Sequence, residues 1–419
     1  MDLLDILDSP NLQGYQKIQT IQKIQIIQKI QIIQKMNSSS KNILFCLDYY
    51  YPHLGGAEVL FTALAEGLVR EGFHVRILTQ KVPGTIEYEV HNGVEINRIP
   101  SFGSRYIFSL RAIPKLLRLA ESADIIHATT FASTLPAWLV AKITKIPLVL
   151  TVHEVWVGLW KQVSDAGNLS NFINDKIERF VYWFDYQNYI AVSNSTARAL
   201  LKLGIPQSKV HVIYNGLDYD FWSPKGHDRT ARRASLNLQN HFTFFFSGRP
   251  GCSKGLPVLL RAFAEIHKTH PNIRLLALVS RAKAVRKGLQ EVEKLIETLH
   301  LQDAVILHEP VPPEELPDYV YCADTVVVPS LSEGFGFAAA EACAMRRPVI
   351  VTDNASLPEV VSGKVLTVPP NHVDALAYAM ERALQDDFQI IPEKRFPVST
   401  NLEQHIALYN SILTTSLTK

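Results

Sequence analysis

Cysteine is scarce in this sequence, and none of its residues forms a CxxC pair. The four thiols stand far apart along the chain, at Cys46, Cys252, Cys322 and Cys343. This spacing excludes a metal or redox site of the CxxC type. We interpret the cysteines as reduced and mostly buried, as in a cytosolic compartment, where disulfides are rare.

Long apolar runs and an excess of one charge are also missing. No run reaches the roughly 18 residues that a membrane-spanning helix needs. The first residues lack the basic-then-apolar layout of a signal peptide. The formal net charge is only +2, whereas a general nucleic-acid binder carries a clear basic excess. These absences predict a cytoplasmic protein with no nucleic-acid partner.

Two common nucleotide-binding fingerprints are absent as well. The glycine-rich turn around Gly55-Gly56 does not match GxGxxG, and the loop Ser247–Gly255 lacks the GxxxxGK[ST] spacing. The first absence disfavours a nicotinamide dehydrogenase, and the second shows that the loop is not a Walker loop.

The N-terminal part of the chain is repetitive. Residues 16–33 contain three near-identical hexads, and a fourth begins at Gln34. A period of six matches neither an α-helix nor a heptad coiled coil. We interpret residues 1–40 as a low-complexity, disordered extension produced by repeat expansion, with Met36 as the natural start. The alternative is a segment that binds a partner or lies on a membrane.

Beyond the repeats, strand-like apolar runs alternate with helical stretches. One alternating series occupies residues 41–217 and a second occupies 241–398, with a linker at 218–240 and a terminal helix within 399–419. Alternation of this kind is typical of parallel sheets with helices on both faces. The predicted fold class is therefore α/β, with two doubly wound, Rossmann-like domains that face each other across a cleft. Ligands of such sheets bind outside the carboxyl ends of the strands.

The most informative pair of residues is Glu333 and Glu341, which are separated by seven residues. They flank the turn between the apolar run Thr325–Pro329 and an Ala-rich helix, and the turn contains Gly334 and Gly336. Such a turn presents free backbone N–H groups and the positive end of a helix dipole, which suits an anion. Carboxylates beside an anion are costly unless they bind hydroxyls. We therefore predict a ligand with both phosphates and sugar hydroxyls, such as a nucleotide-sugar.

Three other loops follow predicted strands. Arg249 and Lys254 lie on one turn near a helix start, and their side chains suit a diphosphate. Gly55 and Gly56 open the first helix, where glycine lets a backbone approach a ligand closely, although a simple tight connection is equally compatible. His153 ends a strand and points toward the cleft, although a structural histidine is the alternative from this residue alone.

Taken together, these motifs resemble the retaining GT-B glycosyltransferases of family 4, over nearly all of residues 42–415. The most specific feature is the spacing of Glu333 and Glu341. The resemblance implies a hexosyltransferase-type enzyme of polysaccharide biosynthesis. Its donor would be a nucleoside-diphosphate-sugar, and its acceptor a polysaccharide, a lipid-linked sugar or a small glycoside. In this fold the last helix commonly crosses back to the first domain. Further support comes from Gly248-Arg249…Lys254-Gly255, Gly55-Gly56-Ala57-Glu58, Ala191-Val192-Ser193-Asn194-Ser195 and Val212-Ile213-Tyr214-Asn215-Gly216-Leu217-Asp218.

The resemblance also implies roles for the acidic residues and the first domain. Glu341 would hold the ribose hydroxyls of the donor, and Glu333 would contact the donor sugar near its anomeric centre. His153 would lie beside the transferred sugar. Gly55 and Gly56 would belong to the donor site, because the loop around Gly56 would close over the donor.

The charge on the diphosphate has its own implied partners. Arg249 and Lys254 would hold the diphosphate and stabilise the leaving group. Gly336 and Phe337 would offer backbone N–H groups to the phosphates. Gly334 would complete the donor loop. Preorganised charge of this kind often contributes more to catalysis than any other single effect. No protein nucleophile is evident, and family members are thought to react on one face, with the leaving phosphate assisting deprotonation of the acceptor. No cofactor or metal is expected.

Some positions depart from the family pattern or remain ambiguous. Where the family often has a Gly-Asp-Gly-like turn, this chain has Val279–Ala282, with a charge at Arg281. A Gly-Gly pair of the family is replaced by Asn354-Ala355. Asp218-Tyr219-Asp220 has the spacing of a metal-binding DxD, but it falls in the predicted linker, and we assign no metal there.

Other functions and partners are compatible with the same sequence. A GT-B sugar-nucleotide epimerase or hydrolase is one alternative, and a non-catalytic sugar-nucleotide-binding scaffold is another. Arg111, Lys115 and Arg118 share one face of a predicted helix, Leu110–Ala120, with apolar residues between them. They predict peripheral contact with anionic lipid on the inner face of the membrane, while an ordinary solvated helix face is the alternative.

Overall fold

The computed structural model describes residues 41–53, 55–282 and 285–417. The extension that we predict at residues 1–40, with its hexad repeats, lies outside these ranges. Within them the chain forms two separate sheets flanked by helices, and the second sheet begins where the alternating pattern of the sequence restarts.

The first sheet has eight strands and is parallel except for one hairpin at its edge. Its strands are β1 (Asn42–Cys46), β2 (His74–Gln80), β3 (Tyr88–His91), β4 (Val94–Ile99), β5 (Ile125–Thr129), β6 (Leu148–Val152), β7 (Asn188–Ala191) and β8 (Val210–Val212). Their order across the sheet is β3-β4-β2-β1-β5-β6-β7-β8, and β3 pairs antiparallel with β4. This order places the end of β6 near the middle of the sheet's carboxyl edge.

Helices cover both faces of the first sheet. They are α1 (Gly56–Arg70), α2 (Arg105–Ala120), α3 (Thr134–Thr144), α4 (Trp160–Val163), α5 (Asn168–Trp183) and α6 (Asn194–Lys202). Two apolar cores result, one on each face of the sheet. One core contains the buried faces of α2, α3 and α6, and the other contains that of α1.

The second sheet has seven strands and is parallel except for its last strand. Its strands are β9 (Phe242–Gly248), β10 (Ile273–Val279), β11 (Val305–His308), β12 (Thr325–Val328), β13 (Val349–Thr352), β14 (Gly363–Val368) and β15 (Gln389–Ile391). The order is β11-β10-β9-β12-β13-β14-β15, with β15 antiparallel to β14. Strands β9 and β12 are neighbours, so the loops that follow them lie side by side.

The helices of the second half are shorter on average than those of the first. They are α7 (Arg229–Ser235), α8 (Leu256–His267), α9 (Arg286–Thr298), α10 (Leu316–Cys322), α11 (Phe337–Ala344), α12 (Leu357–Val360) and α13 (Val373–Leu384). The final helix, α14 (Val398–Leu417), packs on the first domain, where Tyr409 is fully buried. The Tyr409 hydroxyl lies 2.6 Å from Nδ1 of His127 at the centre of the first sheet.

The predicted fold class is confirmed, but some elements were missed. The hairpin β3–β4 is not among the predicted strands, although its Asn92-Gly93 turn has the positive φ angles, 49° and 81°, of a tight hairpin.

Residues 218–240 were predicted as a linker, whereas α7 lies within them. Ion pairs rather than apolar periodicity hold α7, since Arg229 and Arg233 both pair with Asp324.

The helices can also be compared with the thickness of a bilayer. Within the described ranges, none of them combines the length and the apolar character that crossing a membrane requires.

Candidate active site

The two domains meet at the loop between β12 and α11. A Cβ atom built on Gly334 in this loop would fall 1.9 Å from the backbone oxygen of His153, in the first domain. Because the His153 oxygen belongs to the backbone and cannot rotate away, the close contact between the two domains at this position requires glycine. A cavity of about 290 Å³ lies beside the contact. Its lining includes Gly56, Ala57, Thr130, Phe131, His153, Glu154, Asn215, Lys254, Glu333, Gly334, Phe335, Gly336 and Phe337.

Glu333 is held in the cavity by one of its two carboxylate oxygens. Its Oε1 accepts hydrogen bonds from Nζ of Lys254, at 2.6 Å, and from the hydroxyl of Ser330, at 2.8 Å. The hydroxyl of Ser356 donates to its backbone oxygen at 3.0 Å. No described residue donates to Oε2. The acid is therefore fixed in orientation, with one oxygen available to a ligand hydroxyl.

Glu341 lies on the first turns of α11 and is the second acid of the motif. Burial, and after it the negative charge of Glu333, raises the pKa of Glu341 to about 8. Among the described residues, none donates a hydrogen bond to this carboxyl group. The side chain is partly exposed, and its carboxylate oxygens are not among the enclosed unpaired atoms of the described residues. Hydroxyl donors of a ligand can therefore reach it and would favour its charged form.

The beginning of α11 provides backbone N–H groups beside these acids. Gly336 precedes the helix with a φ of 92°, which glycine adopts readily and other residues rarely do. Gly336 and Phe337 both line the cavity. The first N–H groups of a helix have no partner within the helix, and its dipole favours negative charge there. The turn is therefore suited to a phosphate.

His153 follows β6 and faces the cavity from the first domain. Burial lowers the pKa of His153 to about 4, so its imidazole is neutral at pH 7. Its Nε2 atom is inaccessible to water and has no hydrogen-bond partner in the described part of the chain. An unpaired buried nitrogen is costly. Because this atom is enclosed, a sugar hydroxyl in the cavity can pair with it only after neighbouring groups or the imidazole move.

Glu154 is a site residue that was not predicted from the sequence, although it follows His153 directly. Burial raises the pKa of Glu154, and the negative charge of Glu333 adds to this rise, whereas Lys254, Arg249 and the N–H of Gly334 lower it. These influences place a third carboxyl group in the cavity. Its position next to the strand-end histidine was the available signal.

Arg249 differs from Lys254, its partner in the predicted diphosphate site. Arg249 is exposed and, among the described residues, forms no hydrogen bond or ion pair. Its positive charge nevertheless acts on Glu154, so it stands at the edge of the cavity. Lys254 already pairs with Glu333, while Arg249 is available to an incoming anion. The structure therefore brings both cations to the same side of the cleft.

The glycine turn of the first domain reaches across to the second domain. A Cβ atom on Gly56 would lie 3.4 Å from the ring of Phe337, and Gly56 lines the cavity. Gly55 caps α1 just before it, and a Cβ atom there would meet the Glu58 carboxylate. Of the two predicted glycines, only Gly56 thus lies at the cavity wall.

The departures from the family pattern have local explanations. Arg281 lies 3.4 Å from Glu309, so its charge has a partner outside the cavity. The Asn354 amide donates to the backbone oxygen of Leu331 at 2.5 Å, which ties this turn to the acidic loop. Ala355 adopts a φ of 54°, a value that favours glycine and explains why a glycine pair suits this turn.

Three other predicted features lie outside the cavity. The Asp218 carboxylate caps its own turn by accepting from the N–H groups of Asp220 and Phe221, at 2.9 and 3.1 Å. Within the described ranges no cluster of three or more histidine, cysteine or acidic side chains is arranged to hold a metal ion. The cations Arg111, Lys115 and Arg118 are exposed on α2.

Two family models match successive parts of this chain. The model described as Glycosyltransferase Family 4 matches residues 54–221, and the one described as Glycosyl transferases group 1 matches residues 228–401. An uncharacterized glycosyltransferase of Methanocaldococcus jannaschii is 28% identical over 360 residues, which cover 80% of this chain and 87% of that protein. A D-inositol 3-phosphate glycosyltransferase of Catenulispora acidiphila is 28% identical over 353 residues, covering 80% and 83%.

Solved structures share the fold at lower identity. The Anabaena protein HepE, in complex with UDP and glucose, aligns with a TM-score of 0.72 and 20% identity over 88% of this chain and 99% of that chain. A sucrose-phosphate synthase of Thermosynechococcus elongatus aligns with a TM-score of 0.69 and 22% identity over 90% and 97%. Both family models, the relatives and the two-sheet architecture agree, so this chain belongs to the GT-B glycosyltransferases and is a transferase enzyme that uses nucleotide-sugars.

Proposed function

We propose that this enzyme is a retaining glycosyltransferase that moves a sugar from a nucleoside-diphosphate-sugar to a hydroxyl of a glycan or a lipid-linked sugar. The observation that carries the proposal is the arrangement of Lys254, Glu333 and His153 around one cavity between the domains, with Glu341 close enough for the charge of Glu333 to raise its pKa. One end of this cavity offers positive charge and backbone N–H groups, which suit phosphates. The other end offers unpaired polar groups, which suit sugar hydroxyls.

The nucleotide end of the donor would bind along α11. The vicinal ribose hydroxyls would donate to Glu341, whose carboxyl group has no other donor among the described residues. The diphosphate would lie between the helix N-terminus at Gly336 and the cations Arg249 and Lys254. The crystal structure of the fold neighbour HepE in complex with UDP-glucose supports this class of donor. The identity of the base stays open between uracil, guanine and adenine.

The sugar end of the donor would bind between Glu333 and His153. The free Oε2 of Glu333 would accept from a sugar hydroxyl, and the neutral His153 would pair with a second hydroxyl once a movement on binding exposes its enclosed Nε2. Contacts from both domains would orient the anomeric carbon toward the acceptor. Positioning of this kind converts an encounter between two substrates into a reaction within one complex.

Cleavage of the anomeric C–O bond moves an electron pair onto the diphosphate. Arg249, Lys254 and the α11 N–H groups stabilise this developing charge because they are in place before the reaction. The ion pair of Glu333 with Lys254 and the bond from Ser330 draw electron density from its carboxylate, and we assign Glu333 to binding a sugar hydroxyl through Oε2 rather than to attack on carbon. We infer that the acceptor hydroxyl enters on the face the phosphate leaves, and that its proton passes to a phosphate oxygen.

The positively charged residues of the donor site lead to an expectation about whether turnover requires a metal ion. Because Arg249, Lys254 and the helix N-terminus already supply positive charge to the diphosphate site, we expect turnover to need no divalent cation. Turnover should stay the same after exhaustive treatment with a chelator, and restoration of lost activity by Mg²⁺ or Mn²⁺ would contradict this expectation.

Calorimetric titration with UDP, GDP and ADP tests the donor site. We expect selective binding of one nucleotide, and a loss of at least tenfold in affinity for both Arg249→Ala and Glu341→Gln. The exposed residues Arg70 and Glu71 provide matched controls, because Arg70→Ala and Glu71→Gln remove the same charges far from the cavity. Equal weak binding of all three nucleotides, or indifference to both site variants, would refute the assignment.

Turnover separates a catalyst from a scaffold. We expect Glu333→Gln to retain nucleotide binding but to lose most of the sugar transfer, or of the slow donor hydrolysis seen without acceptor. NMR of the product should show the anomeric configuration of the donor. An inverted product would refute the retaining mechanism, and nucleotide binding without any turnover in the wild type would favour a scaffold.

A further inference from the structure

Helix α5 exposes an apolar stripe to solvent. Six large side chains at helical spacing have 39–78% of their surface exposed. They are Leu169, Phe172, Ile173, Ile177, Phe180 and Trp183. Single exposed apolar residues are common on protein surfaces, but a contiguous patch of this kind marks an interaction site.

The opposite face of α5 points into the protein and carries both apolar and polar buried residues, which are Asn171, Glu178, Val181 and Tyr182. Oε1 of Glu178 accepts from the backbone N–H of Trp156 at 2.9 Å, and its Oε2 accepts from the indole N–H of Trp160 at 2.6 Å. The Asp175 carboxylate accepts from the N–H of Gly158 at 2.5 Å. Rotating α5 to bury the stripe would break these bonds and leave Glu178, which is buried, without donors. The outward direction of the stripe is therefore built into the fold.

An aromatic series extends the stripe to the neighbouring helix α3. The Phe180 ring lies 4.9 Å from the Phe184 ring, which lies 4.4 Å from that of Trp138. Nζ of Lys142 lies 6.0 Å from the centre of the Trp138 ring. The apolar surface thus spans two helices of one domain face.

Two lysines without an acidic partner among the described residues lie beside this surface, whereas the nearby Asp185 is paired with Lys209. Lys176, within the stripe, lies over the Phe172 ring at 5.2 Å, and neither Lys176 nor Lys142 has an acidic partner among the described residues. The acid on the same helix that reaches the surface, Asp175, is paired with Arg179 at 2.8 Å. An apolar stripe with aromatic residues and unpaired lysines matches the interfacial region of an anionic bilayer.

Helix α5 is also connected to the catalytic loop. Its Glu178 holds the backbone of Trp156, and the indole N–H of Trp156 donates to the Ser332 hydroxyl at 3.0 Å, across the domain boundary. Ser332 directly precedes Glu333. A bilayer bound at the stripe would therefore be linked to the catalytic loop through α5 itself and through Glu178, Trp156 and Ser332. An acceptor anchored in that bilayer could extend its sugar into the site.

We propose that α5 is the membrane-binding element of this enzyme and that its stripe inserts into the interface of an anionic bilayer, where the acceptor is a lipid-linked sugar. The acceptor part rests on the proposed function. This surface differs from the basic face predicted on α2. There, the apolar residues between the cations, Ile113, Leu116 and Leu117, pack against the core, and the exposed apolar side chains of α2 are confined to its first turns, at Tyr106, Ile107 and Leu110.

Vesicle binding by the full chain tests this proposal. We expect the wild type to co-sediment with vesicles of phosphatidylcholine and phosphatidylglycerol, and more weakly with phosphatidylcholine alone. The triple change Phe172→Gln, Phe180→Gln and Trp183→Gln should weaken binding at least tenfold. As a matched control, Tyr378→Gln with Ile390→Gln removes side chains that are 64% and 73% exposed on the second domain, and should leave binding unchanged.

A second measurement reports on insertion without relying on the folding of the triple variant. Trp183 is 78% exposed, so its fluorescence should be accessible to an aqueous quencher in the free protein. It should shift to the blue and be quenched by lipids brominated in their acyl chains once vesicles are added. The Trp183→Phe variant should bind vesicles normally but lose that quenching.

Several results would overturn the proposal. Vesicle binding that survives the triple change, or that is lost instead on changing the α2 cations to glutamine, would do so. A Trp183 already shielded in the free protein, or a dimer that the triple change dissociates, would mean that protein rather than lipid covers the stripe. Nucleotide binding separates the two proposals. Its failure refutes the proposed function, while intact nucleotide binding without vesicle binding refutes the membrane element alone.

Discussion

Binding of a nucleoside diphosphate should drive a proton off Glu341. Burial and the nearby charge of Glu333 raise the pKa of Glu341 to about 8. At pH 7, one pH unit lower, about nine in ten molecules of the free enzyme therefore carry this proton. Hydroxyl groups that donate to a carboxylate favour its charged form. If the ribose hydroxyls bind there, the pKa of Glu341 falls in the complex and the proton leaves.

The expected release at pH 7 is about 0.9 proton per bound nucleotide if the pKa of Glu341 in the complex falls well below 7. The same linkage predicts an affinity that rises about tenfold per pH unit below pH 8 and levels off above it. Calorimetry at pH 7 in buffers of different ionisation enthalpy measures the number of protons directly, because the apparent enthalpy varies linearly with that of the buffer.

Variants isolate the contribution of Glu341. Glu341→Gln should abolish this release, whereas Glu71→Gln, at an exposed site outside the cavity, should preserve it. The phosphate groups of the nucleotide also titrate near neutral pH, but they contribute equally to wild type and variant, so the difference is diagnostic. Equal release by wild type and Glu341→Gln, or net proton uptake by the wild type alone, would refute the role of Glu341 as the ribose ligand.

Three further changes test other parts of the structure. Gly334→Ala places a Cβ atom 1.9 Å from the His153 backbone oxygen, so kcat should fall at least tenfold. As a control, Gly167→Ala should leave kcat unchanged, because a Cβ atom at Gly167 meets no atom within 4 Å. Equal kinetics of the two variants would contradict the domain contact at the Gly334 loop. Ala355→Gly relieves a φ of 54° and should raise the free energy of unfolding by up to about 1 kcal/mol in urea titrations, and a loss of stability would argue against strain there. Burial lowers the pKa of His405 from 6.5 to about 4. Its contribution to stability should therefore be complete above pH 6.5 and be lost as pH falls toward 4, and an acid dependence unchanged in His405→Gln would exclude that origin.

Local signals in the sequence were sufficient for most of the fold. The helix start predicted next to Arg249 and Lys254 is observed as the beginning of α8 at Leu256, directly after Gly255. The hairpin β3–β4 was missed because β3 is short and half exposed, while β4, though mostly buried, mixes apolar with polar residues, so no apolar run marks either strand. Helix α7 was missed because ion pairs to Asp324 hold it, and such partners are invisible in a local pattern.

The candidate site was only partly predictable. Strand-to-helix turns and their spacing identified Glu333 and Glu341, because these residues belong to one continuous segment. The groups that orient them come from elsewhere. Ser356 tethers the backbone of Glu333 from 23 residues away, and Trp156 reaches Ser332 from the other domain. No periodicity in the sequence indicates such contacts, since they depend on how the two domains meet.

By itself, the sequence determined the α/β class, the two-domain organisation and the acidic motif, since these depend on local periodicity and short spacings. Tertiary structure alone decided the environment of each group. It placed Glu341 near Glu333, left Nε2 of His153 enclosed and without a partner among the described residues, and turned Glu178 of α5 inward. The physical reason is that burial, pKa and exposure depend on neighbours distant in the chain. An amphipathic helix has two faces, and only its long-range hydrogen bonds settle which one meets the solvent.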